Sequence, residues 1–298
     1  MLLVAGRAEA AVSFTRGSLA LDPRNPNLLF FVGIELWAAK RPRESRDAFE
    51  AMSRISSRGN PRRAMLFYYT GEGPSAAVTN PYSAISAAAA SGSADPEFVR
   101  RMAVEFLRYQ HRYGDIESLL GDFPDDLAPA AVFEGVGYSA LARLPVAELR
   151  GWVHVLQGNT IAAIDDGRAL LYFVDHVKVT RWNDWQLQLL RAEGLLFVGD
   201  HTAAVAAVRS GAGLMPRTRN ALSALYASYV AAGVMAWAGA QDDAVTVLDD
   251  LSRAVPGVGP AHIARDPVFT VPLAKNARFR KLIARLEAEI RSYKAMLD

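Results

Sequence analysis

Histidines and adjacent acidic pairs are the residues of this chain best suited to chemistry. The histidines are His111, His154, His176, His201 and His262. A metal site on a helix favours two histidines three or four residues apart, and no two of these stand at that spacing. His176 follows Asp175, but adjacent helical residues point away from each other. The acidic pairs are Asp125-Asp126, Asp165-Asp166, Asp242-Asp243 and Asp249-Asp250. Paired carboxylates can run acid–base catalysis or hold a divalent ion. Close to turns they also suit a helix N-terminus or a solvated face, and Asp165-Asp166 and Asp242-Asp243 are read that way. The phosphate loop G-x4-G-K-[ST], the nucleophile elbow G-x-S-x-G and the zinc spelling H-E-x-x-H are missing from the sequence. Gly135-Val136-Gly137-Tyr138-Ser139-Ala140 comes nearest to a glycine-rich loop, but it lacks the third Gly and a preceding strand. The chain has no Cys, so disulfides and thiolate metal sites are excluded. These residues predict no catalytic centre, no metal site and no cofactor.

The elements around them carry a repeat. Gly199, Ala204, Val208, Gly211 and Pro216 overlay Gly239, Ala244, Leu248, Leu251 and Pro256 at a shift of 40 residues. The same phase recurs at Gly6, Ala11, Thr15, Ser18 and Pro23, and at Ser45, Phe49, Met52 and Ser57. It returns at Ala84, Ala88, Ser91 and Pro96, and at Gly158, Ala163, Gly167 and Leu170. A fixed pattern at this period marks stacked units that bury their apolar faces on one another. Small residues let two helices approach, and larger apolar residues three and four positions away fill the groove beside them. Apolar residues make up 51% of the 298, enough for a continuous core, and Ala, the best helix former, is abundant. The expected fold is all-α. Asp22-Pro23, Asn25-Pro26, Asn60-Pro61, Asp95-Pro96 and Asp266-Pro267 read as helix starts. Gly158, Gly199 and Gly239 read as the turns that end first helices.

This spelling resembles the tetratricopeptide repeat, whose unit is a helix pair of about 34 residues. The small residue of the first helix matches Gly33, Gly151, Ala192 and Ala232. The Ala of the second matches Ala11, Ala84, Ala163, Ala204 and Ala244. The likeness is weak between residues 100 and 150, and the spacing drifts from 34 to about 44. The usual first-helix aromatic is Leu36, His154, Leu195 or Met235, so His154 is expected to pack in the core. The resemblance implies a right-handed α-α superhelix of roughly six to seven hairpins over 1–265, with a linker and capping helix over 266–298. It also implies a concave binding face formed by Asn27, Phe30, Ile34, Trp37, Trp152, Gln186, Leu189, Glu193, Phe197, Tyr226, Tyr229 and Trp237, with Glu148 and Leu156 beside them. Aromatic lining suits a peptide groove. Lys and Arg are almost missing from these positions, which argues against a clamp on a terminal carboxylate.

The net charge of +2 hides an uneven distribution. Residues 1–65 hold 11 basic against 6 acidic side chains, and 275–298 hold 7 against 3, while the middle is acidic. Basic and acidic residues interleave, as in Arg43-Glu44-Ser45-Arg46-Asp47, and no basic stripe carries aromatics. That pattern reads as solvated helix faces and predicts no nucleic-acid binding. No apolar run reaches the roughly 18 residues of a bilayer span, and the first residues lack a signal-peptide pattern. A cytoplasmic location is expected. The tail spelling D-P-x-F-x3-L-x5-F-x2-L resembles the close of repeat domains in bacterial signalling proteins such as Ser/Thr kinases, cyclases and winged-helix activators. The sequence therefore predicts a non-catalytic scaffold that binds a protein or peptide on its concave face. The alternative is a regulatory or sensing segment, with the start at Gly6 suggesting a fragment of a longer protein. An enzyme built on the array has only the acidic pairs and the irregular stretch from Gly71 to Pro81 in its favour.

Overall fold

The computed structural model describes residues 2–3, 5–55, 96–123, 126–129, 141, 143–254 and 258–297. The repeat built on Ala84, the stretch from Gly71 to Pro81, Asn60-Pro61, Asp95 and the sequence Gly135 to Ala140 lie outside them. The described chain is all-α apart from one short ribbon. Its helices are α1 (Ala8–Leu21), α2 (Pro26–Ala38), α3 (Pro42–Ile55), α4 (Pro96–Tyr109), α5 (Tyr113–Leu120), α6 (Val146–Gln157) and α7 (Thr160–His176). They continue with α8 (Asp184–Phe197), α9 (His201–Leu214), α10 (Ala221–Trp237), α11 (Gln241–Arg253), α12 (Pro260–Arg265), α13 (Pro267–Thr270) and α14 (Ala277–Leu297). Strands β1 (Leu127–Pro129) and β2 (Arg143–Pro145) pair antiparallel, Ala128 opposite Leu144. They fall where the repeat spelling fades.

Helices adjacent in sequence pack on one another from α6 to α11, giving the TPR-like hairpins α6–α7, α8–α9 and α10–α11. The inward stripe of each second helix is the repeat itself. Ala204, Val208 and Gly211 are buried on α9, Ala244, Leu248 and Leu251 on α11, and Ala163, Gly167 and Leu170 on α7. Ser45, Phe49 and Met52 do the same on α3. The small residues sit where backbones meet. A Cβ on Gly167 would stand 2.8 Å from the carbonyl oxygen of Gly194, and one on Gly211 would stand 3.0 Å from that of Trp185. Gly33 and Gly151 instead receive the rings of Phe49 and Phe197, which leave no room for a Cβ.

The hairpin turns share one mechanism. Gly158, Gly199 and Gly239 adopt φ between +73° and +90°, and the next residue's N–H reaches back across the last helical turn. Asp200 N donates to Leu195 O and Ala240 N to Met235 O, both at 2.9 Å. Lys40 and His111 hold the same left-handed conformation without being glycine. The following helices open on side-chain caps: Asn159 accepts from Ala162 N and Asp200 from Ala203 N. Asn25 and Asp266 cap the helices beginning at Pro26 and Pro267, as the spelling predicts. Asp22 does not start a helix. It closes α1, and its carboxylate accepts from Asn25 Nδ2.

Two features depart from a simple row of hairpins. The segment from α12 to α14 does not stay at the end of the stack. Helix α13 lies against α10 and α6, and α14 lies against α12, α11 and α3. The buried stripe of α14 is Phe279, Leu282, Leu286 and Ile290, while Arg280, Lys281 and Arg291 face outward. The N-terminal hairpins also meet late parts of the chain: Lys40 Nζ donates to Ser252 O at 2.5 Å, and Gly6 abuts Ala221. Leu3, Ala8, Ala11 and Ala38 share one apolar core with α10, α11 and α14. None of the described helices is long and apolar enough to cross a membrane.

If the small residues set the helix spacing, enlarging them overpacks the crossings. Ala204→Leu and Ala244→Leu should each cost about 1–3 kcal/mol in denaturant unfolding. Gly17→Ala on α1 is the control, because its added Cβ meets nothing. It should stabilise by about 0.5–1 kcal/mol through helix propensity alone.

Candidate functional site

The expected core reading of His154 matches its surroundings, but the acidic pair beside it does not follow expectation. Asp165 is exposed and pairs with Arg168. Asp166 is buried, where its carboxylate takes Arg150 Nε at 2.6 Å and His154 Nδ1 at 2.7 Å. One helical step separates the two aspartates, so one faces water and the other faces α6. Asp242 and Asp243 are exposed on the first turn of α11, near Arg278 and Arg209. His176 stacks on Tyr172 at an exposed corner, with centroids 4.0 Å apart. Among the described residues, no three His, Asp or Glu side chains gather in a group able to hold a metal ion.

The chemically dense region lies elsewhere, where α4, α6, α8, α10 and the α12–α13 segment converge. They enclose a cavity of about 70 Å³. Helix α4 contributes Arg101, Glu105, Arg108 and Tyr109, spaced so that they share one face. Arg101 is buried and donates to Glu148 Oε2 on α6 at 3.2 Å, with Glu105 a further 3.8 Å contact. Arg108 donates to Asp266 Oδ2 at 2.7 Å. Asp266 is fully buried and satisfied from three sides: Arg108, the Tyr229 hydroxyl at 2.5 Å, and Val268 N at 2.9 Å through its cap. Tyr109 Oη lies 2.8 Å from His262 Nδ1. On the opposite wall, Trp152 Nε1 donates to Glu193 Oε1 at 2.8 Å.

Burial sets the charge state of this cluster. It pushes the Glu193 carboxyl well above the usual carboxylate range, and the neighbouring Glu148 adds to the effect. It raises Glu105 as well, against the pull of Arg101 and Arg108. Burial lifts the hydroxyls of Tyr109, Tyr226 and Tyr229, so all three stay neutral. His262 is pushed down to about 3 by burial and then by Arg108. Its folded imidazole therefore remains neutral. The stability this confers is present above about pH 6.5 and is lost as pH falls toward 3, because the unfolded imidazole takes up the proton first. The cavity thus presents buried hydrogen-bonding groups, several of which favour their neutral forms.

Of the residues expected on the concave face, Trp152, Glu193, Tyr226 and Tyr229 line this cavity. Their access is taken up by the chain itself. Tyr229 packs edge-on against Phe269 with centroids 4.8 Å apart, and Trp237 Nε1 donates to Val268 O at 2.9 Å. Phe197 is buried edge-on against Trp152 at 5.4 Å. Gln186 is buried and accepts from Leu141 N, and Leu189 is buried beside Gly211. The four positions on α2 stand apart from the cavity. Trp37 is buried and Ile34 half-buried, while Asn27 and Phe30 are exposed. Arg101, Glu105, Arg108 and Asp266 were not singled out as site residues from the sequence. An Arg-x3-Glu-x2-Arg stripe reads as a solvated helix face unless a partner surface covers it.

No family model matches the chain, and no curated protein matches it in sequence. Among solved structures it is similar to the TPR domain of P58(IPK), at 10% identity over 98% of this chain and 96% of that one, with a TM-score of 0.25. At that score the helical-repeat architecture rests on the packing of this chain alone.

The pH response tests the buried carboxyl. A raised folded pKa favours folding below about pH 4.5 and costs stability as pH rises toward the folded value. Glu193→Gln removes that cost. The stability difference between variant and wild type should grow in the variant's favour as pH rises above about 4.5, by at most about 1.4 kcal/mol per pH unit. Parallel stability–pH curves would show that Glu193 titrates normally.

Proposed function

We propose that the chain is a non-catalytic interaction scaffold whose partner is a protein or peptide. The hairpin array supports this reading, since stacked helix pairs give extended surface from short units. The observation that carries it is the apolar surface left on the α1–α2 hairpin. Phe14 is 70% exposed, Leu21 90% and Phe31 53%, with Phe30 at 37% beside Phe31. Large apolar side chains left open in number are what partner surfaces consist of. Of the expected groove residues, Asn27 and Phe30 are the accessible ones, so contact is assigned to the α2 end of that face. A partner peptide along α6, α8 and α10 would have to displace α13. A sensing role is the second reading, favoured by the polar cavity inside the array.

The test is affinity capture from the native host with wild type and with the Phe14→Ala/Phe31→Ala variant, followed by titration of each captured protein in purified form. The double variant should bind its partner at least tenfold more weakly, with an unchanged melting temperature. Binding that survives this change but is lost on opening the α13 contact, as in Trp237→Ala, would move the interface to the inner face.

A further inference from the structure

The cavity under α4 and α13 is unbalanced in two ways. Glu105, Glu148 and Glu193 line it, against the guanidiniums of Arg101 and Arg108 and no lysine. Arg101 donates to Glu148 and Arg108 to Asp266, although the Nε of Arg108 is itself buried with no hydrogen-bond partner among the described residues. The second imbalance is an orphan. Glu193 is 2% exposed; its Oε1 accepts from Trp152, while its Oε2 is buried with no hydrogen-bond partner among the described residues. A buried acceptor of this kind is rare unless something unseen donates to it. Trp152, Tyr226 and Tyr229 line the same cavity, and aromatic rings of this kind can also attract cations.

We propose that this cavity is a binding site for a small primary ammonium, of methylammonium to ethanolamine size, which donates an N–H to Glu193 Oε2 and offsets the excess of carboxylates. The size follows from the cavity volume of about 70 Å³, which suits a ligand of a few heavy atoms. An anion is disfavoured because it would face Glu105, Glu148 and Glu193, and the nearby cations already hold Glu148 and Asp266. A quaternary ammonium carries the charge but no N–H for the orphan oxygen. Burial favours the proton on Glu193, and an ammonium that donates to Oε2 takes that proton's place as the proton leaves to solvent. The site goes beyond the scaffold reading and does not depend on it, since α1 and α2 contribute none of its lining.

The experiment titrates the whole chain with methylammonium chloride by calorimetry and by thermal melting. Sodium chloride, tetramethylammonium chloride and glycine serve as comparison ligands. Methylammonium should bind saturably at one site and raise the melting temperature above the matched sodium chloride control. Tetramethylammonium should show no saturable heat. Glu193→Gln should weaken methylammonium at least tenfold while melting no lower than wild type without ligand. In the wild type, an NMR cross-peak between the bound methyl group and the Trp152 ring places the ligand without any substitution. Methylammonium binding no tighter than sodium or tetramethylammonium overturns the proposal. So does binding that Glu193→Gln leaves unchanged, a missing Trp152 cross-peak at saturation, or tighter binding of zwitterionic glycine.

Discussion

Close backbone approach at small residues is the constraint on which the rest of this molecule depends. Gly167 meets the carbonyl of Gly194, Gly211 meets that of Trp185, and Gly151 receives the face of Phe197. At each contact the side chain that would keep the helices apart is missing, so larger residues beside it, such as Leu170 and Leu248, close over the gap and leave the water entirely. Dispersion and apolar burial both rise steeply with this fit. The left-handed turns at Gly158, Gly199 and Gly239 then return the chain at the angle the crossings need. Spacing and turn reinforce each other along the hairpins from α6 to α11.

Long-range contacts enter with Asp266. In a local view it is a helix cap with Pro behind it. In the fold it is a fully buried anion that binds Arg108 from 158 residues earlier and Tyr229 from 37 residues earlier. A buried carboxylate with that many donors is tolerable, whereas one stripped of Arg108 would be costly. Asp266 therefore ties α4 and α13 to α10 over the inner face of the hairpins. The chain uses its own C-terminal segment where an open array would present a groove, and the aromatic residues of that face serve as its seat. The same closure makes the cavity, because a groove lined by Trp152, Glu193 and Tyr226 becomes an enclosed space once α4 covers it.

This arrangement explains why the inner-face polar groups have unusual chemistry while the surface ones do not. Asp242, Asp243 and Asp165 sit in water beside arginines, where exposed pairs add little. Glu193, Glu105 and His262 have lost their water, and each responds by favouring its neutral form.

The periodic spelling determined the helices, their turns and the stripe of each second helix that faces inward. Those features depend on residues near one another in sequence, such as Asp200 capping Ala203 or Ala204 and Val208 sharing a face. It also placed Trp152, Glu193, Tyr226 and Tyr229 on one concave binding face; in the fold they line one cavity. What covers them was not legible. The ribbon of β1 and β2, the return of α12–α14 across the inner face, and the meeting of Lys40 with Ser252 join residues separated in sequence, by at least 14 positions in the ribbon and by 212 between Lys40 and Ser252. A helix face carrying Arg101, Glu105 and Arg108 is written identically whether it ends in solvent or in a protein interior. Only the tertiary structure decides, because the cost of burying those charges is met by Glu148 and Asp266, partners that the local sequence does not name.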